Sequence, residues 1–109
     1  MRKFIKDYLA KEYDNYVKDL EALTNIDSGN GDLEGTEAAN KFVAAKMQAL
    51  GAETEFRYNE RGCHLISRLK GKGTQTVLLV AHVDTVFKRG EAAKRPFRVD
   101  ETALLGARA

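Results

Sequence analysis

Two side chains able to bind a metal or move a proton, His82 and Asp84, stand two residues apart directly after the apolar run Val77-Leu78-Leu79-Val80-Ala81. A continuous run of β-forming residues predicts a strand buried on both faces, as in the middle of an α/β sheet. Side chains alternate along a strand, so His82 and Asp84 fall on the same side of it. They also fall at its carboxyl end, where open α/β sheets bind ligands. A neutral imidazole is a good zinc ligand, and a neighbouring carboxylate orients it or fixes its tautomer. One His and one Asp make only a partial metal site, so the residues alone favour a strand-end pair satisfied by local hydrogen bonds over a metal site.

The other reactive residues carry less. Cys63 is the single cysteine, which excludes an intrachain disulfide and a cysteine-based zinc cluster, so a metal site must draw on His, Asp and Glu. His64 follows Cys63 on a predicted strand, where adjacent side chains face opposite ways and do not act as a pair. Gly71-Lys72-Gly73-Thr74 lacks the ending of a phosphate loop and precedes a strand instead of joining a strand to a helix. Lys88, Arg89, Lys94 and Arg95 read as a solvated basic loop without interleaved aromatics for stacking on bases. Tyr8, Tyr13 and Tyr16 read as helix packing.

The elements that must position His82 and Asp84 follow from periodicity. Ile5, Leu9, Tyr13, Tyr16, Val17, Leu20 and Leu23 recur at gaps of three and four, which predicts a helix over Arg2 to Thr24. Asp27-Ser28-Gly29-Asn30-Gly31-Asp32 is dense in turn formers and reads as a loop. A second helix follows, with Gly35-Thr36-Glu37 as its start, Ala39, Phe42, Val43, Met47 and Leu50 as its apolar face, and Gly51 as its left-handed terminus. The period then changes to two. Thr54, Phe56 and Tyr58 alternate with Glu53, Glu55 and Arg57, and Leu65, Ser67 and Leu69 alternate beyond Asn59-Glu60-Arg61-Gly62, which predicts a hairpin. A short hairpin, Phe97 to Val99 with Ala103 to Leu105, closes the segment.

The 109 residues make one domain-sized unit. With 43% hydrophobic and 31% charged residues the chain is globular in composition, and a net charge of +2, with both signs mixed along the chain, does not call for a nucleic acid or an anionic membrane. Neither a signal-peptide core nor an 18-residue apolar stretch is present, so the sequence reads as soluble, intracellular and cytoplasmic.

The run Val77 to Phe87, with its His82-Val83-Asp84-Thr85-Val86 core, resembles the strand and His-x-Asp-Thr-Val motif of the glutamate carboxypeptidase, acetylornithine deacetylase and succinyl-diaminopimelate desuccinylase family of zinc exopeptidases. Three flanks agree in order: Ile26-Asp27-Ser28-Gly29-Asn30 with Glu34-Gly35, then Leu69-Lys70-Gly71, then Pro96-Phe97. The resemblance implies an α/β fold, the N-terminal part of a zinc-exopeptidase-like catalytic domain with two helices packed on a small mixed sheet. It implies that His82 is a zinc ligand and that Asp84 is the catalytic-site carboxylate orienting it. The substrate of the complete enzyme would be a small peptide or N-acyl amino acid. The family's two-zinc site also uses a Gly-Pro-Gly-x-x-Asp segment, a Glu-Glu pair, a further carboxylate and a distal His, none of which is in these residues. Ala107-Arg108-Ala109 resembles the approach to that first segment. The expectation is therefore a chain that is catalytically inactive alone, binds zinc weakly at most, and self-associates through an uncovered sheet. The rival reading is a non-catalytic remnant or interaction module.

Overall fold

The computed structural model describes residues 1–106. The final three residues, and with them the resemblance to an approaching Gly-Pro-Gly segment, lie outside the described residues. The elements run α1 (Arg2–Thr24), α2 (Leu33–Ala49), β1 (Glu53–Asn59), β2 (Gly62–Arg68), α3 (Glu91–Lys94), β3 (Arg98–Val99) and β4 (Leu104–Leu105).

The first helix spans the residues its periodicity predicts, yet its apolar stripe has little to pack on. Only Thr24 is buried, while Ile5, Leu9, Tyr13, Tyr16 and Leu20 stay exposed. An ion pair of 2.8 Å between Asp19 and Lys46 reaches across to α2.

The second helix begins two residues earlier than the glycine expected to open it. Asp32 is its N-cap, because its carboxylate accepts the otherwise unpaired Gly35 amide at 2.9 Å. At the other end, the amides of Gly51 and Ala52 donate to the carbonyls of Gln48 and Met47. That double closure needs a left-handed residue after the cap, and Gly51 supplies it with φ of 93°. Ala39 and Ala44 are buried on the face turned to the hairpin, whereas Leu50, expected on that face, is exposed.

Strands β1 and β2 form the predicted antiparallel hairpin, with Phe56 opposite Leu65 and Asn59 opposite Gly62. Helix α2 lies against it, and two polar side chains fasten the contact. Asn40 donates to the Cys63 carbonyl at 2.6 Å. The Thr36 hydroxyl accepts the Cys63 amide at 3.0 Å and donates to the Asp32 carbonyl at 2.8 Å. Both backbone groups of a buried strand residue are thus satisfied from the helix, which removes the cost of burying them unpaired. The short hairpin β3–β4 also forms, with Arg98 opposite Leu105 and Val99 opposite Leu104.

Two expectations are corrected. Among the described residues the sheets are two separate antiparallel pairs, not one mixed sheet, and the parallel element is a single bridge between Gly29 and Thr85. The run Val77–Ala81 forms no strand: Leu79 is 89% exposed and Val77, Leu78 and Val80 are open as well. A strand exists only through hydrogen bonds to neighbours, and among the described residues none pairs with this run. Sequence composition qualified it for a sheet centre that the described residues do not build.

The consequence shows in the surface. The chain exposes 8933 Å², against about 6,000 Å² for a compact folded protein of this mass. Its radius of gyration, 15.6 Å, exceeds the roughly 13 Å of a compact chain of this length. The buried apolar residues are Ala39, Ala44, Ala52, Cys63 and Ala92, all small.

The cap at Asp32 yields a test. Arg89 lies 2.6 Å from the same carboxylate, and the Gly35 amide followed by Arg89 holds the Asp32 carboxyl below its usual range. A folded-state value below the unfolded one stabilises at neutral pH, and that contribution is lost as pH falls through the folded value. Replacement Asp32→Ala is expected to cost about 1 kcal/mol at neutral pH in denaturant unfolding. The difference between the variant and the parent chain should shrink in acid.

Candidate functional site

The loop between α1 and α2 is the frame on which the His82 region is built. Its residues Ser28 to Asn30 run beside Val83 to Thr85 as a short parallel ladder. The Thr85 amide donates to the Ser28 carbonyl at 2.9 Å, and the Asn30 amide donates to the Thr85 carbonyl at 2.9 Å. The Ser28 hydroxyl, on a residue only 1% exposed, adds a bond of 2.8 Å to the Val83 carbonyl. Glycine is required at position 29 because the two backbones approach so closely that any Cβ there would meet the Phe87 carbonyl oxygen.

Asp27 extends the frame. Its two carboxylate oxygens accept the amides of Gly90 and Ala92, each at 3.0 Å, and so tie the segment after the motif to the same loop. Asp27 and Ser28 therefore brace the site by direct bonds. The basic segment folds back with them: Arg89 pairs with Asp32, and the Arg95 guanidinium lies 4.8 Å from the centre of the Phe87 ring. Lys94 and Arg95 both pair with Glu91, which places these cations in local ion pairs.

His82 and Asp84 meet as the sequence spacing anticipates, although through an irregular backbone instead of a strand. The His82 Nδ1 atom is 3.2 Å from Asp84 Oδ1 and 3.0 Å from the Asp84 carbonyl oxygen. The other carboxylate oxygen accepts the Asn30 side-chain amide at 2.9 Å. This amide is the leading cause that holds the Asp84 carboxyl below its usual range; partial burial opposes it, and His82 adds a smaller push the same way. The imidazole is 85% exposed, and among the described residues its Nε2 has no hydrogen-bond partner.

A cavity of about 340 Å³ adjoins the pair, lined among others by Asn30, Arg61, Cys63, His64, His82 and Asp84. The Cys63 thiol and the His64 ring make separate contacts. Burial pushes the Cys63 thiol up, away from a reactive thiolate, while His64 Nε2 contacts the Asn59 amide at 2.7 Å. Asn30 was legible only as a turn residue: 54 positions separate it from Asp84, and no local pattern announces the contact.

Zinc bound for catalysis normally takes three protein ligands. Among the described residues no three His, Cys, Asp or Glu side chains come together as a metal-holding group. What is present fits one imidazole ligand and its orienting carboxylate, not a complete zinc site. No described helix is long and apolar enough to cross a membrane.

No family model matches the chain. Among curated proteins it is similar to Carboxypeptidase G2 of Pseudomonas sp. (strain RS-16), with 41% identity over 94 residues, which is 83% of this chain and 22% of that protein. The chain thus spans about a fifth of the length of the relative it matches. This similarity supports a peptidase-family origin of a carboxypeptidase-like kind.

The frame predicts two graded variants. Ser28→Ala, which removes a buried donor, is expected to cost about 1 to 3 kcal/mol. Gly29→Ala, which drives a methyl into backbone, is expected to cost at least as much. Both should accelerate hydrogen exchange at the Thr85 amide, whereas the hairpin amides of β1 and β2 should be affected less.

Proposed function

We propose that the chain is part of a zinc-dependent metallo-exopeptidase that hydrolyses a peptide or N-acyl amide bond in a small substrate, and that it is inactive by itself. The observation that carries this reading is the His82–Asp84 pair, seated in a region 41% identical to a protein named as a carboxypeptidase. In the complete enzyme His82 would be one zinc ligand and Asp84 the carboxylate that orients it. When bound, zinc polarises the scissile carbonyl and lowers the pKa of a water. The chain's own residues do three things toward that end. The loop holds the motif segment in place, Asp84 directs the imidazole, and the cavity beside them leaves room for a small substrate.

The remaining ligands and the general base would come from polypeptide beyond these residues, which is why the chain alone is read as inactive. One imidazole cannot hold zinc tightly. Calorimetric titration of the purified chain with zinc should show weak binding at most, and hydrolysis of dipeptides or N-acyl amino acids should be absent. Chelator-sensitive hydrolysis by homogeneous chain would overturn the claim of inactivity.

A second reading, an interaction module, is favoured by the exposed run Val77 to Val80. Such a segment offers unpaired backbone groups and apolar side chains together, the combination that recruits another strand. We propose that the chain self-associates through it at high concentration. Light scattering should show mass above the monomer that increases with concentration, and Leu78→Lys should return it to the monomer. A monodisperse monomer of the parent chain at high concentration would remove this reading.

A further inference from the structure

We propose that Asn30 is a positioning residue for His82, acting through Asp84; this rests on the reading of His82 as a zinc ligand. The chemistry of the partner atoms indicates where the protons sit. An ionised carboxylate only accepts, so the group that Asn30 turns to Asp84 Oδ2 is its NH2, at 2.9 Å. The two atoms facing His82 Nδ1, Asp84 Oδ1 and the Asp84 carbonyl oxygen, are likewise acceptors only. The proton of the neutral ring therefore sits on Nδ1, and the lone pair sits on Nε2, the nitrogen then able to bind a metal.

The division of the carboxylate is what makes Asn30 matter. With one oxygen held by the amide, the Asp84 carboxylate cannot rotate freely, and the other oxygen stays directed at the ring. The placement of Asn30 does not depend on its own side chain. Its backbone amide is bonded to the Thr85 carbonyl, in the residue next to Asp84. Any residue but proline at position 30 keeps that backbone bond, but an amide side chain of this length also supplies the donor. The distance in sequence is 54 positions, so the loop between the first two helices sets the ring orientation of a residue beyond the central hairpin.

The test is spectroscopic and needs no activity. In the 109-residue chain labelled with 15N-histidine, two-bond nitrogen–proton spectra at a pH where imidazole is neutral report the tautomer of His82 and, as an internal control, of His64. The expected result is a predominantly Nδ1-protonated His82 in the parent chain. That preference should be lost in Asn30→Ala and in Asn30→Asp, which keeps the size but removes the donor, with His64 unchanged. Should the variants fail to fold, the parent chain decides: its spectra must show an Asn30 side-chain amide proton close to the Asp84 side chain and a His82 proton on Nδ1, and their absence overturns the proposal. An unaltered His82 tautomer in both folded variants, or an Nε2-protonated His82 in the parent chain, would overturn the proposal. Zinc titration of the same samples separates it from the functional reading. A zinc-induced change at His82 Nε2 that is equal in parent and variants, with the tautomer insensitive to Asn30, would keep the metal reading and sink the positioning role. A tautomer that follows Asn30 in a chain where zinc at high concentration binds other side chains and leaves His82 Nε2 unmoved would keep the positioning role and sink the metal reading.

Discussion

The candidate site depends on one backbone contact, the short parallel ladder between Ser28–Asn30 and Val83–Thr85. Without it the segment that carries His82 and Asp84 would have no fixed place, because the residues before it make no strand and the residues after it are held by the same loop through Asp27. The ladder imposes its own sequence demand. Glycine at 29 is needed for the close approach, serine at 28 supplies a buried hydroxyl to the neighbouring carbonyl, and Asp32 finishes the loop by capping α2.

From that contact the polar organisation spreads outward. Asp32 joins the helix cap to Arg89, and Thr36 and Asn40, on the next two turns of α2, satisfy the backbone of Cys63 in the hairpin. Much of the tertiary structure is thus held by hydrogen bonds from short polar side chains to backbone. This agrees with the small size of the buried apolar residues, none larger than cysteine. Hydrogen bonds of this kind are directional and set geometry well, but they contribute modestly to net stability. The surface of 8933 Å² is the other side of the same fact: apolar stripes on α1 and along Val77 to Val80 stay in contact with water.

The exposed imidazole and the small core go together in this arrangement. The described residues present a single imidazole with its carboxylate, and beside it an apolar segment with the composition of a sheet centre but no strands alongside.

Where local physics suffices, the sequence alone determined the result. The stripe of α1 sets its span, Gly51 ends α2, and alternation about a tight turn makes β1 and β2 a hairpin, because each depends on residues within a few positions of one another. The pairing of His82 with Asp84 was legible for the same reason: two residues apart, they meet even without a strand. Tertiary structure decided the rest. Val77 to Ala81 has the composition of a buried strand, but strand formation and burial are supplied by neighbours, and composition cannot create them. The start of α2 at Leu33 instead of at Gly35 was decided by the Asp32 carboxylate, which serves both the helix cap and Arg89. The role of Asn30 was beyond any local pattern, since only the ladder brings residues 54 positions apart to 2.9 Å.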